Sequence, residues 1–168
     1  MSAAAVIHHI KTRLFDSHPY LPLDPDSEQK IATRLVQPEL SHLAAVALGA
    51  FFGTLARFEM GLWIPGDKDG WSTATFIINI VGSFLLGVLL QALLHRGKDE
   101  GGRRILRLLL GAGFLGGFTT YSSLAVSVAV LAHNNLLSAA LAYAVVTVVL
   151  GTLAAALGIQ VASAGRRS

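Results

Sequence analysis

The chain has 168 residues, of which 53% are hydrophobic and only 14% are charged, and its mean hydropathy is +0.59. Soluble domains carry about 25% charged residues, so this composition, with its long apolar runs, indicates an integral membrane protein. The absence of cysteine excludes disulfides and thiolate metal sites. The net charge is +3. Because the basic residues lie beside apolar segments, we interpret them as topology signals and expect no nucleic-acid partner.

Residues 1–38 differ in composition from the rest of the chain. The stretch DSHPYLPLDPDSEQK is rich in Pro, Asp and Ser, which is typical of loop or disordered sequence. The preceding MSAAAVIHHIKTRLF favours a short amphipathic helix and lacks the basic region and apolar core of a signal peptide. We therefore predict a soluble, disordered arm over residues 1–38 and a transmembrane domain over residues 39–165.

Four segments are long enough to cross about 30 Å of hydrocarbon, which takes about 20 residues. They run from Ser41 to Trp63, from Thr73 to Leu94, from Ile105 to Leu131 and from Leu136 to Val161. The connections PGDKDG, HRGKDEGGRR and HNN are short. The sequence thus predicts an all-α membrane protein whose functional site lies among the helices.

The basic residues near the membrane are distributed unequally. One face carries Lys30, Arg34, Arg96, Lys98, Arg103, Arg104, Arg166 and Arg167, with Arg107 just inside the third span. The other face carries Arg57 and Lys68. Lys and Arg near span ends are retained in the cytoplasm, so we predict a multi-pass plasma-membrane protein with both termini cytoplasmic.

Ionisable residues are absent from the middle of every predicted span. Arg57 and Glu59 lie near the outer end of the first span, and Arg107 begins the third. A proton-coupled transporter commonly needs a midmembrane carboxylate, and no group of nucleophile, base and orienting partner is recognisable. These observations argue against proton-coupled exchange and against an enzyme.

Uncharged polar residues do occur within the spans. Thr75, Asn79 and Ser83 are spaced by four and share one helix face. Asn79 has two interpretations of similar weight: an interhelical hydrogen bond, or an amide donor facing a permeating anion. In the fourth span, Tyr143 and Thr147 repeat the spacing, and the alternative is that the hydroxyls bond to carbonyls of their own helix.

Several glycines are interpreted as packing sites. Gly82, Gly87, Gly111 and Gly113 allow close approach of helices in the membrane. We assign these residues no chemistry.

The stretch GFLGGFTTYSSL, residues 113 to 124, interrupts the third span with adjacent glycines and a run of hydroxyls. Gly116 and Gly117 loosen a helix, and the Thr/Ser run can satisfy the freed backbone groups. Carbonyls exposed at such a break can coordinate small cations such as Na⁺. From the residues alone, the chain is a channel or small transporter whose third helix is broken near its middle.

Three stretches together resemble one family: GTLARF (53–58), TFIINIVGSFLLG (75–87) and GFLGGFTTYSSL. With four short spans, they resemble the CrcB or Fluc fluoride channels over roughly residues 43–160. The resemblance implies an antiparallel dual-topology dimer with two fluoride pores and a central Na⁺ that is not transported. The implied function is passive export of fluoride from the cytoplasm, which reduces its toxicity.

The resemblance also assigns roles to particular positions. The Na⁺ would be held by the carbonyls of Gly116 and Thr119, and Arg57 would lie near an aqueous vestibule. The implied anion path consists of Thr75, Asn79, Ser83, Thr120, Tyr121, Ser123, Leu124, Tyr143 and Thr147.

Two features depart from the family pattern. Where the family has two phenylalanines spaced by three, this chain has Tyr121 and Leu124, so one aromatic contact is missing. The strong Lys/Arg asymmetry also favours insertion in one orientation. We therefore hypothesise that this chain pairs with an oppositely oriented homologue rather than with a second copy of itself.

Two alternatives remain open at this point. One is a non-conducting or half-conducting subunit of a heterodimeric fluoride channel, because Leu124 lacks a polarised ring edge. The other is a small four-span multidrug exporter, against which the missing carboxylate in the middle of the first span argues.

Overall fold

The computed structural model describes residues 39–64, 69–96 and 99–165. The arm predicted over residues 1–38 lies outside the described residues, as do Lys68 and Lys98. Within the described part of the chain, four helical segments are long and apolar enough to cross a membrane. The predicted all-α transmembrane architecture is confirmed.

The first two spans and the last are single helices. These are α1 (Leu40–Trp63), α2 (Thr73–Leu94) and α6 (Leu137–Ala164). Their bounds lie within three residues of the predicted ones. Many large apolar side chains on all three helices are exposed, which is what a helix surrounded by lipid requires.

The third span, residues 102–133, consists of several pieces. These are α3 (Gly102–Leu106), a π-helix π1 (Arg107–Leu115), α4 (Gly116–Phe118) and α5 (Tyr121–His133). We call residues 102–118 the first half of this span and Tyr121–His133 the second half. The predicted break near the middle of the span is confirmed, whereas the π-helix that precedes it was not expected.

The break consists of two extended residues, Thr119 (φ −76°, ψ 157°) and Thr120 (φ −149°, ψ 121°). We expected the adjacent glycines to loosen the helix, but Gly116 and Gly117 are themselves helical. A Cβ on Gly117 would lie 2.5 Å from the carbonyl oxygen of Ala50. Gly117 therefore serves contact with α1, and the chain leaves the helix two residues later.

Close backbone contacts hold α1 against the first half of the third span. A Cβ on Gly49 or Gly53 would overlap the carbonyl oxygens of Leu109 and Phe114, respectively. A Cβ on Gly113 would lie 2.8 Å from the carbonyl oxygen of Val46. Real Cβ atoms essentially never approach so closely, so this interface accepts no side chain at these positions.

The pair α2 and α6 packs in the same way. A Cβ on Gly87 would overlap the carbonyl of Ala155, and one on Gly158 would overlap the carbonyl of Phe84. Gly87 and Gly113 thus have the packing role that was predicted. Gly111 does not, since a Cβ there would meet only side-chain atoms of Leu89, Leu86 and Arg107, at ordinary distances of 3.6–4.0 Å.

Candidate functional site at the break in the third span

The side chain of Asn79 on α2 pairs with both backbone groups of Thr120. Its Nδ2 donates to the Thr120 carbonyl oxygen at 3.0 Å, and its Oδ1 accepts from the Thr120 N–H at 2.8 Å. Extended backbone buried in a membrane protein must find such partners. The interhelical hydrogen bond foreseen as one alternative for Asn79 is therefore present. Since an amide nitrogen carries two hydrogens, one N–H remains for a second acceptor.

Thr120 also begins the second half of the span. Its Oγ1 accepts from the Ser123 N–H at 3.2 Å, which is the N-cap arrangement of a helix start. The same hydroxyl lies 3.2 Å from Ser123 Oγ and 3.1 Å from Ser122 Oγ. The hydroxyl run thus replaces the hydrogen bonds that the break removes from the helix.

The carbonyl groups around the break are used unequally. Leu115 accepts from both the N–H and the hydroxyl of Thr119, each at 2.9 Å. The carbonyl of Gly117 lies 3.5 Å from the Thr54 hydroxyl. No hydrogen bond from the described residues reaches the carbonyl oxygens of Gly116 or Thr119. These two oxygens are therefore available to a ligand.

An open cleft of about 520 Å³ lies beside the break, and we call it the break cleft. Its polar lining comes from Asn79, Ser83, Thr119, Thr120, Tyr121, Thr147 and Thr152, and Gly116 and Leu124 also line it. No charged side chain is part of this lining. An anion in this cleft would meet hydroxyl and amide donors rather than ion pairs.

The hydroxyls of the break cleft differ in availability. Thr147 donates to the Tyr143 carbonyl at 2.6 Å, and Thr152 donates to the Val148 carbonyl at 2.9 Å. The alternative that span-four hydroxyls bond to their own helix is therefore present for Thr147. By contrast, no hydrogen bond joins the Ser83 hydroxyl to any described residue, although it lines the cleft. Ser83 is thus a free donor in the cleft.

Tyr143 lies apart from the break cleft. Its side chain is fully buried, its hydroxyl donates to the Ser72 carbonyl at 3.0 Å, and its ring centroid lies 4.5 Å from that of Trp71. Ser72 in turn caps α2 by accepting from the Thr75 N–H. In this arrangement Tyr143 fixes the start of α2 against α6. It does not line the break cleft, and its place on the anion path stays a prediction.

A second open cleft, of about 400 Å³, contains Arg57 and is here called the arginine cleft. Polar residues on its wall are Thr54, Arg57, Ser72, Thr75, Thr120 and Ser123. Thr120 borders both clefts, with the Asn79 pairing on its backbone. Apart from Tyr143, every residue of the predicted anion path thus lines one of the two clefts, and Thr120 borders both.

Tyr121 and Leu124, the two positions of the altered aromatic motif, have opposite surroundings. The Tyr121 side chain is 81% exposed on this subunit. Leu124 is 8% exposed and belongs to a buried cluster with Leu131, Ala140 and Tyr143. Tyr121 therefore lies open at the surface of this chain, whereas Leu124 is covered by residues of the same chain.

Sequence reasoning missed two residues of the site. Ser72 is one: a Ser before an apolar helical run is an N-cap signal, and this one also anchors Tyr143. Gly82 is the other, because a Cβ there would overlap the Thr119 methyl group. Gly82 was predicted as a packing site, but nothing in the sequence indicated that it faces the break.

Comparison with known proteins identifies the family. Residues 44–159 match the family model described as CrcB-like protein, Camphor Resistance (CrcB). A protein named fluoride-specific ion channel FluC 1, from Cutibacterium acnes, is 42% identical over 66% of this chain and 77% of its own length. The FluC 2 protein of Leifsonia xyli is 41% identical over 71% of this chain and 81% of its own length.

A third relative extends the match over almost its whole length. The fluoride-specific ion channel FluC of Caulobacter vibrioides is 36% identical over 73% of this chain and 96% of its own length. The family match, residues 44–159, covers most of the first and last spans, the whole of the second and third, and the break. It includes every residue that lines the two clefts. The chain belongs to the CrcB (FluC) family of ion channels.

Proposed function

We propose that this chain is a subunit of a fluoride channel that lets fluoride leave the cytoplasm down its gradient. The observation that carries the proposal is the break cleft, which offers uncharged hydrogen-bond donors in the middle of an otherwise apolar bundle. Fluoride is proposed as the ion because relatives of this chain are named fluoride-specific ion channels. Weak-acid entry as HF traps fluoride inside a cell, and a passive channel relieves that accumulation.

Fluoride holds its water tightly, so the channel must replace those hydrogen bonds. The free donors are the Ser83 hydroxyl, the second N–H of Asn79 and the hydroxyl of Tyr121. Tyr121 also has a positively polarised ring edge. Arg57 in the arginine cleft adds positive potential near the entrance, where a low-dielectric surrounding strengthens its effect.

A structural Na⁺ is part of the proposal. The carbonyl oxygens of Gly116 and Thr119 fit it, because they are hard oxygen ligands with no hydrogen bond from the described residues. Both residues line the break cleft. The same two carbonyls of a second subunit would complete the ligand set. The bound cation would add positive potential near the anion path.

The second subunit is proposed to lie antiparallel to the first, with the termini of this chain in the cytoplasm. The exposed Tyr121 side chain is the residue that such a partner would cover. Because Leu124 supplies no ring edge and the Lys/Arg bias favours one orientation, the preferred partner is an oppositely oriented homologue. A subunit that does not itself conduct is the second candidate, and the Leu124 position favours it.

The test is fluoride efflux from liposomes that contain the purified chain, recorded with a fluoride electrode. If the chain conducts alone, Ser83→Ala should slow efflux roughly tenfold, because a hydrogen bond to a charged group contributes about 1.5–3 kcal/mol. Ser163→Ala is the matched control, since Ser163 also lies in a membrane helix but donates to the Ile159 carbonyl outside both clefts. Asn79→Asp should abolish efflux by placing a carboxylate on the path.

The outcomes distinguish a channel made of this chain alone from one that needs an oppositely oriented homologue. Efflux from the chain alone, with both orientations present, would reject the heterodimer. Efflux only after addition of an oppositely oriented homologue would support it. If fluoride remained inside in both preparations while the protein stayed folded, the channel function itself would be rejected.

A further inference from the structure

The junction between the second and third spans carries a cluster of arginines that the two clefts do not use. Arg96 follows the end of α2, Arg103 and Arg104 lie in α3, and Arg107 begins π1. A guanidinium nitrogen of Arg103 donates to the Arg96 carbonyl at 2.6 Å and so joins the ends of the two spans. We call these four residues the arginine patch.

Counter-charge within the patch is limited. Two nitrogens of Arg107 lie close to Asp99 Oδ2, Nη2 at 2.8 Å and Nε at 3.0 Å. The Nε of Arg104 lies 3.9 Å from the same oxygen. Glu100 makes no ion pair with a described residue. The four arginines exceed these two acids by two charges, and the Arg104 side chain is 49% exposed. Arg104 therefore retains donors that its own chain does not occupy.

The patch lies directly beside surface that faces lipid. Leu94, two residues before Arg96, is 74% exposed, and Ile105 and Leu110 are 39% and 36% exposed on the third span. Apolar side chains that begin within one turn of exposed guanidinium groups place those groups at the level of the lipid headgroups. A soluble acidic protein would meet only the basic part of this surface, whereas a phospholipid matches both parts.

We propose that the arginine patch binds the phosphodiester headgroup of an anionic phospholipid, whose acyl chains lie along Leu94 and Ile105. The planar guanidinium of Arg104 suits two-point hydrogen bonding to phosphate oxygens. Arg103 lies beside it and is held towards α2 by its bond to Arg96. Basic residues close to a span attract anionic lipids strongly enough to select them over neutral ones.

The experiment measures lipid binding to the full chain in detergent, as the midpoint of thermal unfolding against added phospholipid. Phosphatidylglycerol should raise the midpoint, whereas phosphatidylcholine of the same acyl chains should not. Arg104→Gln should weaken the apparent affinity for phosphatidylglycerol about fivefold, the contribution of one basic residue near the surface. The double variant Arg103→Gln with Arg104→Gln should lose the preference for the anionic lipid.

Two controls identify the site and the ligand. Arg57→Gln removes the same charge at the other end of the bundle and should leave lipid binding unchanged. Inorganic phosphate at the same concentration should not raise the midpoint. Equal effects of both lipids, an equal loss in Arg57→Gln, or equal protection by inorganic phosphate would each overturn the proposal. The measurement involves no ion flux, so its result is independent of the proposed channel function.

Discussion

The half of the third span before the break packs through its backbone, whereas the half after it packs through side chains. Residues 102–118 meet α1 where Gly49 and Gly53 leave no space for a Cβ. The second half, Tyr121–His133, contributes Leu124 and Leu131 to a buried cluster completed by residues of α6. The difference shows how one span can expose carbonyls at its centre and still be held firmly: glycine contacts fix one side of the break and apolar side chains fix the other.

The largest effect is expected where the backbone contact is closest. Gly53→Ala places a methyl group on the Phe114 carbonyl, and neither backbone can move aside without separating α1 from the third span. We expect a loss of about 3 kcal/mol in the free energy of unfolding, the upper end for overpacking. The measurement is denaturant unfolding of the purified protein in detergent.

Gly61→Ala is the matched control on the same helix. A Cβ at Gly61 meets nothing within 4 Å, and alanine favours a helix over glycine by about 0.5–1 kcal/mol. This variant should be as stable as the parent or slightly more so. If both variants lost similar free energy of unfolding, the close backbone contact at Gly53 would not be what holds α1 against the first half of the third span.

The next effect concerns the residue that joins the two halves. Asn79→Leu removes both partners of the Thr120 backbone, and each buried polar group left unpaired costs about 1–3 kcal/mol. We expect destabilisation of about 2 kcal/mol and faster hydrogen exchange of the Thr120 amide. Asn134→Ala is the control, because the Asn134 amide makes one exposed 3.3 Å bond to the Asp69 carbonyl. Unchanged exchange at Thr120 would contradict the pairing.

A smaller effect is expected from the helix cap of the second half. Thr120→Val keeps the shape of the side chain but removes the oxygen that accepts from the Ser123 N–H. Loss of such a cap costs about 1 kcal/mol. Exchange of the first amides of α5 should increase while that of π1 stays the same. An equal increase in both halves would mean that they do not unfold separately.

The smallest effect concerns pH at the start of the first half. A hydrogen bond from Arg107 lowers the pKa of the Asp99 carboxyl below its ordinary value. The stabilisation is therefore complete above about pH 4, the usual carboxyl pKa, and is lost as the pH falls through the lower value in the folded protein. In thermal unfolding between pH 3 and pH 6, Asp99→Asn should lack this part of the pH dependence. Parallel curves for the two proteins would contradict the contribution of the pair.

Much of the site was predictable because its residue types are unusual in a membrane helix. Asn79 stands out in an apolar run, and a polar side chain there must find a partner. The sequence left open whether that partner was protein or ligand. The structure shows a protein partner, the backbone of Thr120. The placement of Tyr143 was not predictable, because spacing by four identifies a helix face but not which neighbour that face meets.

The sequence by itself determined the four spans, the break and the family, because apolar length, a run of hydroxyls inside an apolar span, and local motifs are properties of contiguous residues. Only the tertiary structure decided that the break lies at Thr119 and Thr120, that a π-helix precedes it, and that Ser83 keeps a free hydroxyl while Thr147 does not. Those outcomes depend on which backbone atoms of α1 and α2 approach the third span. Contacts between residues distant in the chain, such as Asn79 with Thr120, carry no signature in the local sequence.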